Sequence, residues 1–173
     1  MKTAYFVVGP ESSGTRMLTK LLIANGCYGQ AGDEQAMDSN FVKVLETPKI
    51  VFRRSFPHGG IWPDLDSRFD LVREFGYQII LIKMIRDINA IAQSQVIRYH
   101  VSTIPEALEH VRKAYSEIQN AEYYTGVTAY HCVYESMTTN SVAALRFLEL
   151  IGFNAPLSLI PMTNENEKYF KGE

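Results

Sequence analysis

The feature that most constrains the fold is Tyr77-Gln78-Ile79-Ile80-Leu81-Ile82-Lys83-Met84-Ile85, the most strongly apolar run in the chain. A strand with one face in water alternates polar and apolar residues; a run without that alternation predicts a central strand covered on both faces, as in a parallel sheet. Three other runs, 4–8, 49–54 and 127–134, are predicted as further strands. Between them lie stripes at helical spacing. Residues 17–23 stop at Asn25-Gly26, and Leu65, Phe69, Val72 and Phe75 follow a capping Asp64 and end at Gly76. Residues 88–99 predict another helix. Leu108, Val111, Tyr115 and Ile118 follow Ser102 or Thr103 with Pro105, and Val142, Leu145, Leu148 and Ile151 follow Thr139 or Asn140. Strands alternating with helices predict a three-layer α/β fold: a mostly parallel sheet of about four or five strands, flanked by helices in P-loop-like topology. Residues 27–48 are Gly-rich and weakly periodic, and read as an irregular loop whose 29–34 portion lies near the mouth of a site. One domain over 1–173 is expected.

In such sheets ligands sit beyond the carboxyl ends of the strands. The first strand runs into Gly9-Pro10-Glu11-Ser12-Ser13-Gly14-Thr15-Arg16 and then a helix. A strand, a Gly-bounded loop and a helix form a phosphate cradle, with loop amides and the positive helix end facing the anion. The spacing from Gly9 to Gly14 is that of the Walker A motif, and Gly-Pro-Glu-Ser-Ser-Gly is similar to the start of the phosphate loop of bacterial recombinases. The Lys and Ser/Thr that should follow are, however, Thr15 and Arg16. Thr15 cannot supply the charge on the outer phosphates and Arg16 cannot hold magnesium, so magnesium-dependent hydrolysis is disfavoured.

Composition narrows the partners. A net charge of −2 gives no reason to expect nucleic acid or an anionic membrane. Cys27 and Cys132 are too few for a disulfide framework or a zinc site and read as buried thiols. No apolar run reaches membrane-spanning length and no basic-then-apolar leader opens the sequence, so a cytoplasmic protein is expected.

Two further motifs join the Gly9 loop. Arg86 stands where the central strand ends, and Ser94 follows eight positions later, within the next helix. An Arg can grip a phosphate bidentately and a serine hydroxyl can add a neutral donor; alternatively, Arg86 pairs with Asp87 and Ser94 is an ordinary helical serine. Later comes Val133-Tyr134-Glu135-Ser136-Met137, then a helix ending Leu150-Ile151-Gly152-Phe153. Together, from about residue 4 to 153 and in order, these segments resemble the sulfotransferases that use 3′-phosphoadenosine 5′-phosphosulfate (PAPS). The loop resembles the family's 5′-phosphosulfate loop, and Ile85-Arg86-Asp87 with Ser94 its 3′-phosphate motif. The resemblance implies that amides of Ser12, Ser13, Gly14, Thr15 and Arg16, with the Thr15 hydroxyl, hold the 5′-phosphosulfate. It implies that Arg86 and Ser94 hold the 3′-phosphate, and that sulfuryl transfer needs no metal. The chain departs from the family at Ser12, where a Lys usually stabilises the bridging oxygen. Losing such a donor costs about 10²–10³ in rate; Arg16, Arg53 or Arg54 are the candidate replacements.

Sulfuryl transfer to a hydroxyl also needs a base. His58, in Phe56-Pro57-His58-Gly59 just after the second strand, is the candidate, in a region where many cytosolic sulfotransferases place a His; a surface-loop His is the plain alternative. Glu34 is a second candidate base. His100, His110 and His131 read as helix or strand residues without a role. Trp62 in its Gly/Pro loop could contact the acceptor or pack over the core edge, and Tyr123, Tyr124 and Tyr130 could stack on aromatic groups or simply pack. The expected acceptor is a small molecule or glycan, with a second copy of the chain able to complete an open pocket. The competing functions are a kinase-like enzyme with a degenerate phosphate loop and a non-catalytic nucleotide-binding protein.

Overall fold

The structure is a computed structural model and describes residues 2–32, 47–154, 157–159 and 162–170. The strands are β1 (Lys2–Pro10), β2 (Tyr28–Gly29), β3 (Lys49–Phe56), β4 (Tyr77–Ile85) and β5 (Ala129–Val133). The helices are α1 (Thr15–Ala24), α2 (Leu65–Glu74), α3 (Ile88–Ile97), α4 (Ile104–Thr125), α5 (Tyr134–Thr139), α6 (Ser141–Leu150) and α7 (Glu167–Phe170). The five strands form one sheet in the order β2-β3-β1-β4-β5, and every pair is parallel. This is the expected α/β architecture with a P-loop-like arrangement. No helix among the described residues is long and apolar enough to cross a membrane.

Strand β1 shows why the sheet is covered on both sides. Tyr5 and Val7 face one layer, where Leu18, Leu21 and Leu22 of α1 and Phe147 and Leu148 of α6 pack. Ala4, Phe6 and Val8 face the other, against Leu65, Phe69 and Val72 of α2 and Ala114 and Ile118 of α4. Alternate side chains of a strand point to opposite faces, so a central strand must be apolar throughout. Phe6 stacks on Phe52 of β3 at 4.9 Å and meets Phe69 edge-on at 4.7 Å. The helix starts follow local chemistry. Asp64 accepts from the Ser67 amide, Thr103 from Glu106, and Asn140 from Val142 and Ala143.

The predicted strands and helices are all present, β4 with the predicted bounds and the others with ends moved by a few residues. Three elements, β2, α5 and α7, have no counterpart in the sequence reading. Within the stretch read as an irregular loop, Tyr28–Gly29 forms β2, paired with Ile50 and Val51. The last predicted strand stops at Val133, because α5 begins at Tyr134, whose side chain turns into the core with Met137.

The register sets the site. Gly9 pairs with Ser55 and Pro10 with Phe56, so the loop after β1 and the turn after β3 leave the sheet side by side. β1 lies between β3 and β4, where connections leave in opposite directions, and a crevice opens at such a point.

Candidate functional site

Glu11 to Gly14 links β1 to α1, held by a turn in which the Ser13 amide donates to the Pro10 carbonyl at 3.0 Å. Gly14 stands at φ 100°, and a Cβ there would lie 2.6 Å from the Tyr134 ring. Glycine is therefore required twice, by backbone and by close approach. α1 has no side-chain cap. Its first amides lack intrahelical acceptors and present the positive end of the helix dipole. The hydroxyls of Ser12 and Ser13 are buried without a hydrogen-bond partner.

Arg86, at the end of β4, is 9% exposed. Its Nη1 donates to the Ser12 carbonyl at 2.6 Å and its Nε to Asn166 Oδ1 at 2.7 Å. Its guanidinium lies 4.3 Å over the Tyr134 ring and 5.6 Å from the Tyr169 ring centroid. The third nitrogen, Nη2, is buried and has no hydrogen-bond partner. Most buried donors are paired, and an orphaned guanidinium nitrogen beside two orphaned hydroxyls and an uncapped helix end is an arrangement suited to an anion. Asp87 does not pair with Arg86; it caps α3 by accepting from the amides of Asn89 and Ala90.

Ser94 is fully buried, and its hydroxyl accepts from the Tyr169 hydroxyl at 2.9 Å. Ser94 thus lies behind Tyr169, and the phenol is the group that borders the cleft. Burial pushes the Tyr169 pKa up, but the bond to Ser94 and the charges of Lys168 and Arg98 outweigh it and leave the phenol below its ordinary value. The 162–170 segment is tied down by further bonds. Asn166 Nδ2 donates to Glu135 Oε1 at 2.6 Å, and the Tyr134 hydroxyl donates to the Thr163 carbonyl at 3.0 Å.

These groups border an open cleft of about 540 Å³, within the range of small-ligand sites. Among the described residues its cations are Arg16, Lys20, Arg53, Arg86 and Arg98, and its carboxylates are Glu11 and Glu165. Such an excess of positive charge favours an anionic ligand. Arg16 Nε and Nη2 donate to the carbonyls of Ala31 and Gly32 at 3.3 and 3.4 Å, and Arg53 Nη2 to Gly32 at 3.1 Å. The Thr15 and Ser55 hydroxyls lie 3.5 Å apart at the base of the cleft.

Of the residues singled out in the sequence, Ser12, Gly14, Thr15, Arg16, His58 and Arg86 line this cleft, with Arg53 as one candidate replacement for the absent lysine. Arg54 is buried, its Nη1 donating to the Arg53 carbonyl, and does not border the cleft. Ser13 is buried beneath the loop and Ser94 is reached through Tyr169. Glu34 lies outside the described residues. Trp62 is away from the cleft, meeting Phe56 and His110 edge-on with Lys113 Nζ 4.1 Å over its ring. Tyr123 and Tyr124 contact each other near the end of α4 and are exposed.

His100, read as a residue without a role, lines the cleft instead. α3 ends at Ile97, Tyr99 adopts φ 58°, and the chain turns His100 back toward Glu11. Asn166 and Tyr169 are equally absent from the sequence reading, because their partners lie 80 and 75 positions away. The chain matches no family model and no curated protein.

Proposed function

We propose that the chain is a small cytoplasmic sulfotransferase that moves a sulfuryl group from PAPS to a hydroxyl or amine acceptor. The observation that carries this reading is Arg86: a buried guanidinium with one orphaned nitrogen, hydrogen-bonded to the very loop whose helix end is uncapped. Two anion-seeking groups at one cleft, with neither the Lys nor the Ser/Thr of a nucleoside triphosphate loop, suit a nucleotide phosphorylated at both ends of its ribose. The resemblance noted in the sequence points the same way.

In this reading the 5′-phosphosulfate occupies the Gly14 to Arg16 helix end, and Arg86 Nη2 with the Tyr169–Ser94 pair receives the 3′-phosphate. His58, bordering the same cleft, takes the proton of the acceptor hydroxyl. The acceptor oxygen then attacks sulfur, and the bond from sulfur to the 5′-phosphate oxygen breaks. The electron pair stays on that phosphate oxygen, where helix-end amides, Thr15 and Arg16 stabilise it. The proton leaves His58 for solvent. Arg16 and Arg53 supply the charge that Ser12 does not.

Calorimetric titration with 3′-phosphoadenosine 5′-phosphate and with ATP, each with and without magnesium, tests the proposal. The first ligand is expected to bind without metal and more tightly than ATP, and Arg86→Ala to weaken it at least about tenfold, the loss of a charged hydrogen bond. Binding of ATP alone, dependent on magnesium, would favour the kinase-like alternative. Unchanged affinity in Arg86→Ala would remove the 3′-phosphate assignment.

A further inference from the structure

Buried arginines ordinarily pair with carboxylates, and Arg86 does not. Among the described residues its hydrogen bonds go to the Ser12 carbonyl and to Asn166 Oδ1, two acceptors without net charge. A carboxylate stands one step further out. Asn166 Nδ2 donates to Glu135 Oε1 at 2.6 Å, and the same oxygen accepts from the Asp87 amide at 3.0 Å. Asn166 is thus inserted between a cation and an anion, with one end of its amide on each. The two ends cannot be exchanged. A guanidinium only donates, so the atom 2.7 Å from Arg86 Nε must be the oxygen, and the amino group is left for Glu135. Lys168 Nζ, not Arg86, donates to the Glu165 carboxylate.

Asn166 is itself held in place. It is buried, its backbone amide donates to Asn164 Oδ1 at 3.0 Å, and its carbonyl accepts from the Tyr169 amide at 2.9 Å. Its side chain therefore starts from a fixed turn and ends on two fixed partners. With Nε and Nη1 of Arg86 bonded and the rings of Tyr134 and Tyr169 alongside, Nη2 is the nitrogen left without a partner.

Charge decides what that nitrogen can do. A carboxylate in contact with Nε would offset the guanidinium charge where water screens it least, and would repel an incoming phosphate. An amide oxygen orients the group through the same hydrogen bond and leaves the charge in place. We propose that Asn166 is a positioning residue: it fixes Arg86 through a neutral acceptor, so that Nη2 meets a ligand anion with the guanidinium charge undiminished. That this anion is a ribose 3′-phosphate rests on the donor reading above; the positioning of Arg86 does not.

Hydrogen exchange at Arg86 Nε–H tests the positioning without ligand. It is read in the 1H–15N spectrum of the 15N-labelled full chain, with Arg86→Lys and Arg98→Lys for assignment. The Arg86 signal is expected to exchange at least about tenfold more slowly than that of exposed Arg98, and Asn166→Ala to remove most of the difference. Asn166→Ser, too short to reach Nε, serves if Asn166→Ala does not fold. Fast exchange in the wild type, or protection unaltered in these variants, would overturn the proposal. The charge is tested by moving the carboxylate one step inward. Glu135→Gln together with Asn166→Asp keeps the net charge and still pairs an amide with a carboxylate, but sets the negative group on Nε. Calorimetry then compares 3′-phosphoadenosine 5′-phosphate with adenosine 5′-phosphate. The advantage of the first ligand is expected to fall at least about tenfold in the swapped pair, and to hold within about twofold in Glu135→Gln alone, which keeps an oxygen for both of its donors. A purely structural role would weaken both nucleotides alike, and an unchanged advantage in the swapped pair would overturn the proposal. A wild-type chain without that advantage would refute the 3′-phosphate assignment, and the exchange rates would still decide whether Asn166 positions Arg86.

Discussion

Replacing Gly14 by alanine is the most direct challenge to the loop geometry. Two separate costs apply. The backbone at φ 100° is one that L residues rarely adopt, and left-handed conformations cost roughly 1–2 kcal/mol. The new methyl would then stand 2.6 and 3.1 Å from two carbons of the Tyr134 ring and 3.4 Å from Met84 Cε. That ring cannot easily retreat. Its hydroxyl is bonded to Thr163 and Glu165, and its face lies 4.3 Å beneath Arg86. Overpacking of this kind typically costs about 1–3 kcal/mol. The sum is about 2–5 kcal/mol, a large part of the roughly 5–15 kcal/mol by which domains are stable. Urea unfolding measures it, and the fall in midpoint should come with little change in slope. Gly126→Ala is the control: φ is 66° there and nothing lies within 4 Å of the added carbon, so only the backbone cost applies. The difference between the two variants contains the collision with Tyr134 and the added strain of φ 100° over φ 66°. A Gly14→Ala loss below about 1 kcal/mol, or one equal to that of Gly126→Ala, would refute the close-approach reasoning.

The Ser94–Tyr169 bond invites a double-mutant cycle. Tyr169→Phe should destabilise by about 1–3 kcal/mol, since it leaves the fully buried Ser94 hydroxyl without its partner, Ser94→Ala by less, since the phenol borders the cleft, and the double variant should lose clearly less than the sum; strict additivity would mean that the bond contributes nothing. Alkaline pH should also weaken the fold. Burial pushes the Cys27 thiol, despite nearby Lys49, and the Cys132 thiol from 9.0 to about 12. The unfolded chain therefore releases these protons near pH 9, while the folded chain keeps them until about 12. Between those values the folded state binds more protons, so stability falls as pH rises, by up to about 1.4 kcal/mol per pH unit for each thiol. Urea midpoints from pH 7.5 to 10.5 would show it, and Cys132→Ala should make the decline shallower; a decline unaffected by that variant would assign it to other groups.

Most of the fold was legible because burial imposes local patterns. β4 could be read to its bounds, since a strand covered on both faces has no polar alternation to blur its ends. Asp64, Thr103 and Asn140 marked helix starts through side-chain bonds only a few residues long. β2 left no such pattern: two residues cannot show a period, and Tyr28–Gly29 is a strand only because Ile50 and Val51 lie alongside. α5 was hidden for another reason. Its Thr- and Ser-rich sequence has modest helix propensity, and Tyr134 and Met137 hold it by packing into the core. The same division runs through the site. The loop and Arg86 announce themselves at strand ends, whereas Glu11 meets His58 and His100 only because the fold brings them from elsewhere in the chain. Asn166 and Tyr169 carry no local motif at all.

The Tyr134 hydroxyl has one more consequence. It accepts from the Glu165 amide at 3.2 Å while its ring supports Arg86. That amide can exchange its hydrogen with solvent only when the 163–170 segment lifts from the ring, a local opening rather than global unfolding. A ligand held by Arg86 in the closed arrangement makes the opening rarer by the factor 1 + [L]/Kd. Deuterium uptake at a single backbone position, far along the chain from the phosphate loop, therefore reports how full the cleft is.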